Sequence, residues 1–96
     1  MLNGGGSMKP ELVVIFGDWC AKCNMMMPIV EEIALEYRDV LQVTKVEVKD
    51  ENEDLQENYG IDIVPTFLIQ RNGEELGRMS GLIDKKLMVK RIFSVL

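Results

Sequence analysis

The sequence predicts an α/β fold of order β-α-β-α-β-β-α, a four-stranded mixed sheet with three helices. Three observations carry that prediction. Glu11 to Gly17 is a continuous apolar run, rich in β-branched residues and closed by glycine, as in a strand buried on both faces of a parallel sheet. The residues after it switch to helical periodicity. Near the end, Asn72-Gly73 separates two strand-like runs, and this dipeptide supplies the positive φ angles of a tight hairpin turn.

The elements follow in order. Beyond Asp18-Trp19-Cys20-Ala21-Lys22-Cys23, residues Met26, Ile29, Val30, Ile33, Ala34 and Tyr37 recur at helical steps, with Glu31, Glu32, Glu36 and Arg38 off the stripe. Pro28 lies inside this helix, where it costs one backbone hydrogen bond and favours a kink. Leu41 to Val48 is a second strand with imperfect alternation. Asp50 and Glu53 have the spacing of a capping box, predicting a short helix from about Glu51 to Tyr59 with Gly60 as its C-cap. Val64 to Gln70 is a third strand with Pro65 at its entrance, and Glu75 to Ser80 is its hairpin partner. Asp84 is a natural N-cap for a last helix from Lys85 toward Val95, with Met88, Ile92 and Val95 on the buried face and Val89 and Phe93 flanking it.

The chain has 96 residues, enough for one domain, and 47% of them are hydrophobic. Residues 1–7, with the glycine run Gly4 to Gly6 and Ser7, have flexible-linker composition, and Met8 reads as a second start. They are set apart as a leader, leaving 8–96 as a single domain. The leader lacks the apolar core and basic start of a secretory signal. The longest apolar run, Leu12 to Phe16, is far short of the roughly 20 residues that span a membrane. A net charge of −5 argues against nucleic acid, whose binders present a basic face. Histidine is absent, which removes Ser–His and Cys–His catalysis and His-bearing zinc sites.

Cys20-x-x-Cys23 falls where the first strand turns into a helix. Residues three apart are neighbours on a first helical turn, close enough for a disulfide. The N–H groups and dipole of that turn stabilise a thiolate, the species that attacks a disulfide. Lys22 adds positive charge. Cys20 is therefore expected to be the exposed nucleophile and Cys23 the more buried resolving thiol in thiol–disulfide exchange. Two thiols are too few for a metal, which a second copy of the chain would have to complete.

Trp19-Cys20-Ala21-Lys22-Cys23 is similar to the thioredoxin active site. Pro28, five residues after Cys23, matches the proline in that family's active-site helix, and Val64-Pro65-Thr66 looks like its proline loop. Gly81 and the Asn72-Gly73 hairpin agree too, so the resemblance runs over about residues 11–95. It implies a cis bond at Val64–Pro65 that leaves the Val64 backbone free to pair with a substrate strand. It further implies a docking rim of Trp19, Val64, Pro65, Thr66 and Gly81. The implied partners are disulfide-containing proteins and a reductase for regeneration, with no bound cofactor, no metal, a monomeric state and a cytoplasmic setting.

The sequence departs from that family in four places. Ala21-Lys22 replaces the usual Gly-Pro, which frees the backbone, favours the thiolate and moves the expected reduction potential somewhat above a typical thioredoxin's. Val14 stands where thioredoxins have a buried acid, six residues before the first cysteine. Its lysine companion persists as Lys45, read either as a thiolate-stabilising group or as an edge-strand lysine. Proton removal from Cys23 then falls to Asp18 or water. The leading strand and helix of full-length thioredoxins are missing, an arrangement glutaredoxins share, which leaves Leu41 to Val48 at an edge. A glutathione-dependent, glutaredoxin-like activity is the alternative, weakened by Ser80-Gly81-Leu82-Ile83-Asp84, which has one glycine and apolar residues where glutaredoxins carry a Gly-Gly and acidic signature. Lastly, of Met25-Met26-Met27, two are expected in the core and the functional reading is an adaptable rim. The acidic run Asp50 to Glu57 reads as a solvated helix face.

Overall fold

The apolar run near the start becomes the strand around which the sheet is built. The computed structural model describes residues 9–96; the leader assigned to residues 1–7 lies outside them. The elements are β1 (Glu11–Phe16), α1 (Ala21–Glu36), β2 (Gln42–Glu47), α2 (Leu55–Tyr59), β3 (Thr66–Arg71), β4 (Glu74–Ser80) and α3 (Lys85–Ser94). The sheet order is β2-β1-β3-β4. β1 and β2 are parallel, whereas β3 is antiparallel to both β1 and β4. This is the thioredoxin-like α/β arrangement, with β2 at an edge.

Strand alternation sorts the core into two faces. Leu12, Val14, Phe67 and Ile69 pack with Met26, Val30 and Ile33 of α1 and Met88 and Ile92 of α3. Ile15 and, less fully, Val13, Val46 and Leu68 turn the other way, toward Leu55 and Tyr59 of α2. α2 has five residues and spans about 7.5 Å, whereas a six-residue strand spans about 20 Å, so this helix cannot cover its whole face. Near the start of β1 that face turns polar instead. Gln70 Nε2 donates to Glu11 at 2.9 Å, the Thr44 hydroxyl donates to the other Glu11 oxygen, and Gln42 Nε2 donates to Thr44 at 3.3 Å. Polar side chains bonded to one another need no helix above them.

The hairpin turns at Asn72 and Gly73, with φ of 54° and 81°, the conformation its dipeptide favours. Beyond it the register slips between Gln70, paired with Glu75, and Ile69, paired with Gly77, leaving Leu76 as the extra residue of a bulge.

Two sequence expectations change. α2 begins at Leu55 rather than near Glu51, with Asp54 as the N-cap accepting from Glu57 N at 3.0 Å. The Asp50–Glu53 pair closes a separate turn, in which Glu53 N donates to the Asp50 carbonyl at 3.0 Å and Asp50 N donates to the Glu53 carboxylate at 3.4 Å. Val95 is not on the buried face of α3. It is the C-cap and stays 39% exposed, with its methyls over Gly77.

Phe67 is fully buried between α1 and α3. Phe67→Ala is expected to lower the unfolding free energy by about 3–5 kcal/mol in urea titration, and a loss under about 1 kcal/mol would contradict this packing.

Candidate active site

β1 ends at Phe16, and the chain turns through Gly17, Asp18 and Trp19 into α1. The turn closes where Cys20 N–H donates to the Gly17 carbonyl at 3.2 Å. Cys20 then serves as the N-cap of α1, its backbone extended (φ −100°, ψ 115°) and its sulfur accepting from Cys23 N at 3.2 Å. A helix end normally presents unpartnered N–H groups, and here one of them points at a thiol. No acidic side chain sits in this first turn to compete with negative charge on the sulfur.

Both cysteines are free thiols, and they differ sharply in setting. Cys20 is partly exposed, while Cys23 is 1% exposed, packed with Ile15, Val48, Ile61 and Val64. Burial pushes the Cys23 thiol up to about 12, with the Cys20 side chain adding to the rise and a Gly17 backbone hydrogen bond opposing part of it.

A second segment crosses in front of the pair. The Val64–Pro65 bond is cis, and the Val64 carbonyl accepts from the Cys20 thiol at 3.7 Å. Val64, Pro65 and Thr66 are themselves buried. The Thr66 hydroxyl donates to the Ile63 carbonyl at 2.6 Å, which occupies it in holding the loop. Gly81, with φ of 82°, donates its N–H to the Pro65 carbonyl at 3.0 Å. Ile83 N donates to Met26 Sδ at 3.4 Å, tying that turn back to α1. Trp19, 38% exposed, donates Nε1 to the Val48 carbonyl at 3.0 Å.

Of the residues singled out from sequence, Trp19, Cys20, Cys23, Val64, Pro65 and Gly81 converge here. Lys22 is exposed on the first turn of α1 and has no ion-pair partner among the described residues. Asp18 is exposed, and only its backbone carbonyl is bonded, accepting from Asn24 Nδ2 at 3.2 Å. Nothing joins its carboxylate to buried Cys23.

Lys45, open in sequence to a thiolate-stabilising or an edge-strand role, pairs its ammonium with Glu31, both side chains being well exposed, and not with the cysteines. Its register partner on β1 is Val14, fully buried and apolar, so no carboxylate is there to hold a buried ammonium. The edge-strand reading of Lys45 is the one this geometry fits. Of the three methionines, Met26 is buried, Met27 packs partly against the core and Met25 is 63% exposed.

Sequence reasoning missed three contributors. Gly17 lies under the Trp19 ring, and the carbonyls of Val48 and Ile63 hold Trp19 and Thr66. Backbone acceptors leave no trace in a side-chain motif. Gly17 had a signal, a small residue two before the tryptophan, but it also ends a strand. Ile63 and Leu82, both exposed, add apolar surface on the two loops beside the cysteines.

An attacking thiol at a helix N-terminus with a buried partner thiol three residues on is the apparatus of thiol–disulfide exchange. Comparison with known proteins agrees. The Thioredoxin family model matches residues 5–94. Thioredoxin of Rickettsia typhi is 35% identical over 80 residues, covering 83% of this chain and 75% of that protein. Thioredoxin 1 of Synechococcus elongatus is 35% identical over 86 residues, 90% of this chain and 79% of that one. Thioredoxin Y1, chloroplastic, of Arabidopsis thaliana is 33% identical over 86 residues, 90% of this chain and 49% of that one. With the paired thiols, the cis-proline loop and these matches together, the chain belongs to the thioredoxin family and is a thiol–disulfide oxidoreductase.

Proposed function

We propose that this protein reduces disulfides on partner proteins, with Cys20 as nucleophile and Cys23 as resolving thiol. The observation that carries the assignment is the asymmetry of the pair: Cys20 caps a helix at the surface, and Cys23 is buried with its proton held tightly.

The Cys20 thiolate attacks one sulfur of the partner's disulfide. A Cys20–partner bond forms, the partner's S–S bond breaks, and its other sulfur leaves as a thiolate. Cys23, once deprotonated, attacks Cys20 Sγ. The partner departs with both sulfurs reduced, and two electrons have passed to it from a pair now joined as a disulfide. A dithiol reductase then regenerates the thiols. In the reduced state the Val64 carbonyl is occupied by the Cys20 S–H. Loss of that proton frees the carbonyl to accept an N–H from an extended substrate segment, a strand addition. Trp19, Ile63 and Leu82 supply exposed apolar surface beside this position.

One feature favours a protein substrate over glutathione: Trp19, Ile63 and Leu82 leave apolar surface exposed on the loops beside the cysteines. Lys22 adds a cation near the attacking thiolate. Water is the acceptor for the Cys23 proton, since Val14 supplies no acid and Asp18 faces solvent. The protein acts as a monomer without a bound cofactor, as a reductant in a reducing compartment such as the cytoplasm. No helix among the described residues is long and apolar enough to cross a membrane.

Cys20→Ser is expected to abolish reduction of insulin disulfides. Cys23→Ser should accumulate a mixed disulfide visible on non-reducing gels, and full turnover by either variant would contradict the assignment.

The resolving step carries a pH signature. In the mixed disulfide Cys20 no longer contributes to the raised Cys23 value, but burial still does. The thiolate fraction then grows about tenfold per pH unit while pH stays below that value, and release of the bound partner should accelerate in proportion through about pH 8. Stopped-flow release rates that are flat across neutral pH would contradict a buried, protonated Cys23.

A further inference from the structure

Three methionines follow Cys23, and the middle one is the deepest. Met26 is 2% exposed and lies one turn beyond Cys23 on the buried face of α1. Its sulfur accepts from Ile83 N at 3.4 Å, and the bond is buried. Ile83 is itself only 7% exposed, so its N–H is shielded from water and needs a partner inside the protein. Among the described residues that partner is Met26 Sδ. A hydrocarbon side chain of the same size would fill the space about as well. The thioether adds what leucine and isoleucine lack, a lone pair on a flexible chain. Met88, fully buried in the same cluster, accepts no such bond among the described residues.

The bond closes a circuit around the redox pair. The Cys20 thiol donates to the Val64 carbonyl at 3.7 Å, and the next carbonyl, that of Pro65, accepts from Gly81 N at 3.0 Å. Ile83 N then returns the chain to Met26, on the helix that bears both cysteines. Leu82, 51% exposed, stands between the two anchored amides. The other acceptors of this circuit are main-chain carbonyls, which any sequence supplies. Met26 Sδ is its single side-chain acceptor.

We propose that Met26 is a positioning residue: its thioether, bonded to the Ile83 N–H, ties the Gly81–Ile83 turn to α1, so that Leu82 is already in place when a disulfide-bearing protein reaches Cys20. The role rests on the protein-substrate reading above. Without the sulfur a buried N–H is left unpaired, and the turn can satisfy it only by opening toward water. A turn ordered beforehand loses little freedom on binding, so loosening it acts on affinity more than on bond exchange at Cys20.

The test compares Met26→Leu with Met88→Leu, the same volume-conserving change at two buried positions of one core, by amide hydrogen exchange and by insulin KM and kcat. In the wild type the Ile83 amide should exchange slowly, and exchange as fast as that of an open loop overturns the bond before any variant is made. Met26→Leu should speed Ile83 exchange about tenfold or more beyond any change at Val30 and Ile33, and Met88→Leu should not. Met26→Leu should also raise insulin KM about threefold or more, with kcat and the rate on a small aromatic disulfide within about twofold of wild type. Equal Ile83 exchange in the two variants, or an equal KM, overturns the positioning role. Faster exchange with an unchanged KM overturns it as well, since the loosened turn then has no part in docking. Leu82→Ser, at an exposed position, should raise insulin KM by a similar factor, and an unchanged KM overturns the docking role even if Met26→Leu does not fold. Wild-type protein that reduces a small aromatic disulfide but not insulin overturns the protein-substrate reading, whereas the exchange arm reports on the Met26–Ile83 bond alone.

Discussion

A helix needs acceptors for the N–H groups of its first turn, and in α1 the sulfur of Cys20 is one of them. Cys20 can fill that place only if β1 stops at Phe16, the turn closes on the Gly17 carbonyl, and α1 leaves at an angle that carries Cys23 into the core one turn later. The local constraint thus sorts two identical side chains into different chemistry. One sulfur meets solvent and a backbone donor. The other is surrounded by Ile15, Val48, Ile61 and Val64 and keeps its proton. Around this pair the Val64–Pro65 loop, the Gly81 turn and the Trp19 ring are each fixed by a hydrogen bond to a backbone carbonyl rather than by charge.

The same economy governs the sheet. A single short helix covers one of its faces among the described residues, and the uncovered part is closed by side chains that bond to each other: Glu11, Thr44, Gln70 and Gln42. The opposite face carries α1 and α3 and nearly all the large apolar residues. The redox pair lies where the two faces meet, at the end of the sheet toward which β1 and β2 both run. Ligand sites of parallel strands commonly sit at that end.

Most of the architecture was legible because its signals were redundant. The β-branched run, the helical stripe and Asn72-Gly73 each marked an element independently, and the cysteine spacing marked the site. Where one signal occurred twice, legibility failed: Asp50–Glu53 and Asp54–Glu57 are both capping-box spacings, four residues apart. Leu55 and Tyr59, which pack against the second face, select the later one, a choice made by tertiary contact. Lys45 was ambiguous for a related reason. A lysine on a strand is read by its partner, and Glu31 is on another element. Thr66 matched a binding motif, yet its hydroxyl is spent inside the loop. The backbone carbonyls that hold the site, those of Val48, Ile63 and Pro65, have no signature in sequence at all.

The central claim is that Cys20 and Cys23 are a reversible two-electron couple, and Trp19, next in the chain and locked over the same turn, reports on it. Equilibrating the protein in graded thiol–disulfide buffers while following Trp19 fluorescence tests this directly. The expected result is one reversible two-electron transition, somewhat above the value of about −270 mV typical of thioredoxins, as anticipated with Ala21-Lys22 in place of Gly-Pro. A transition near about −120 mV would contradict a reductant, and no transition at all, with Cys20 unreactive, would contradict the redox pair itself.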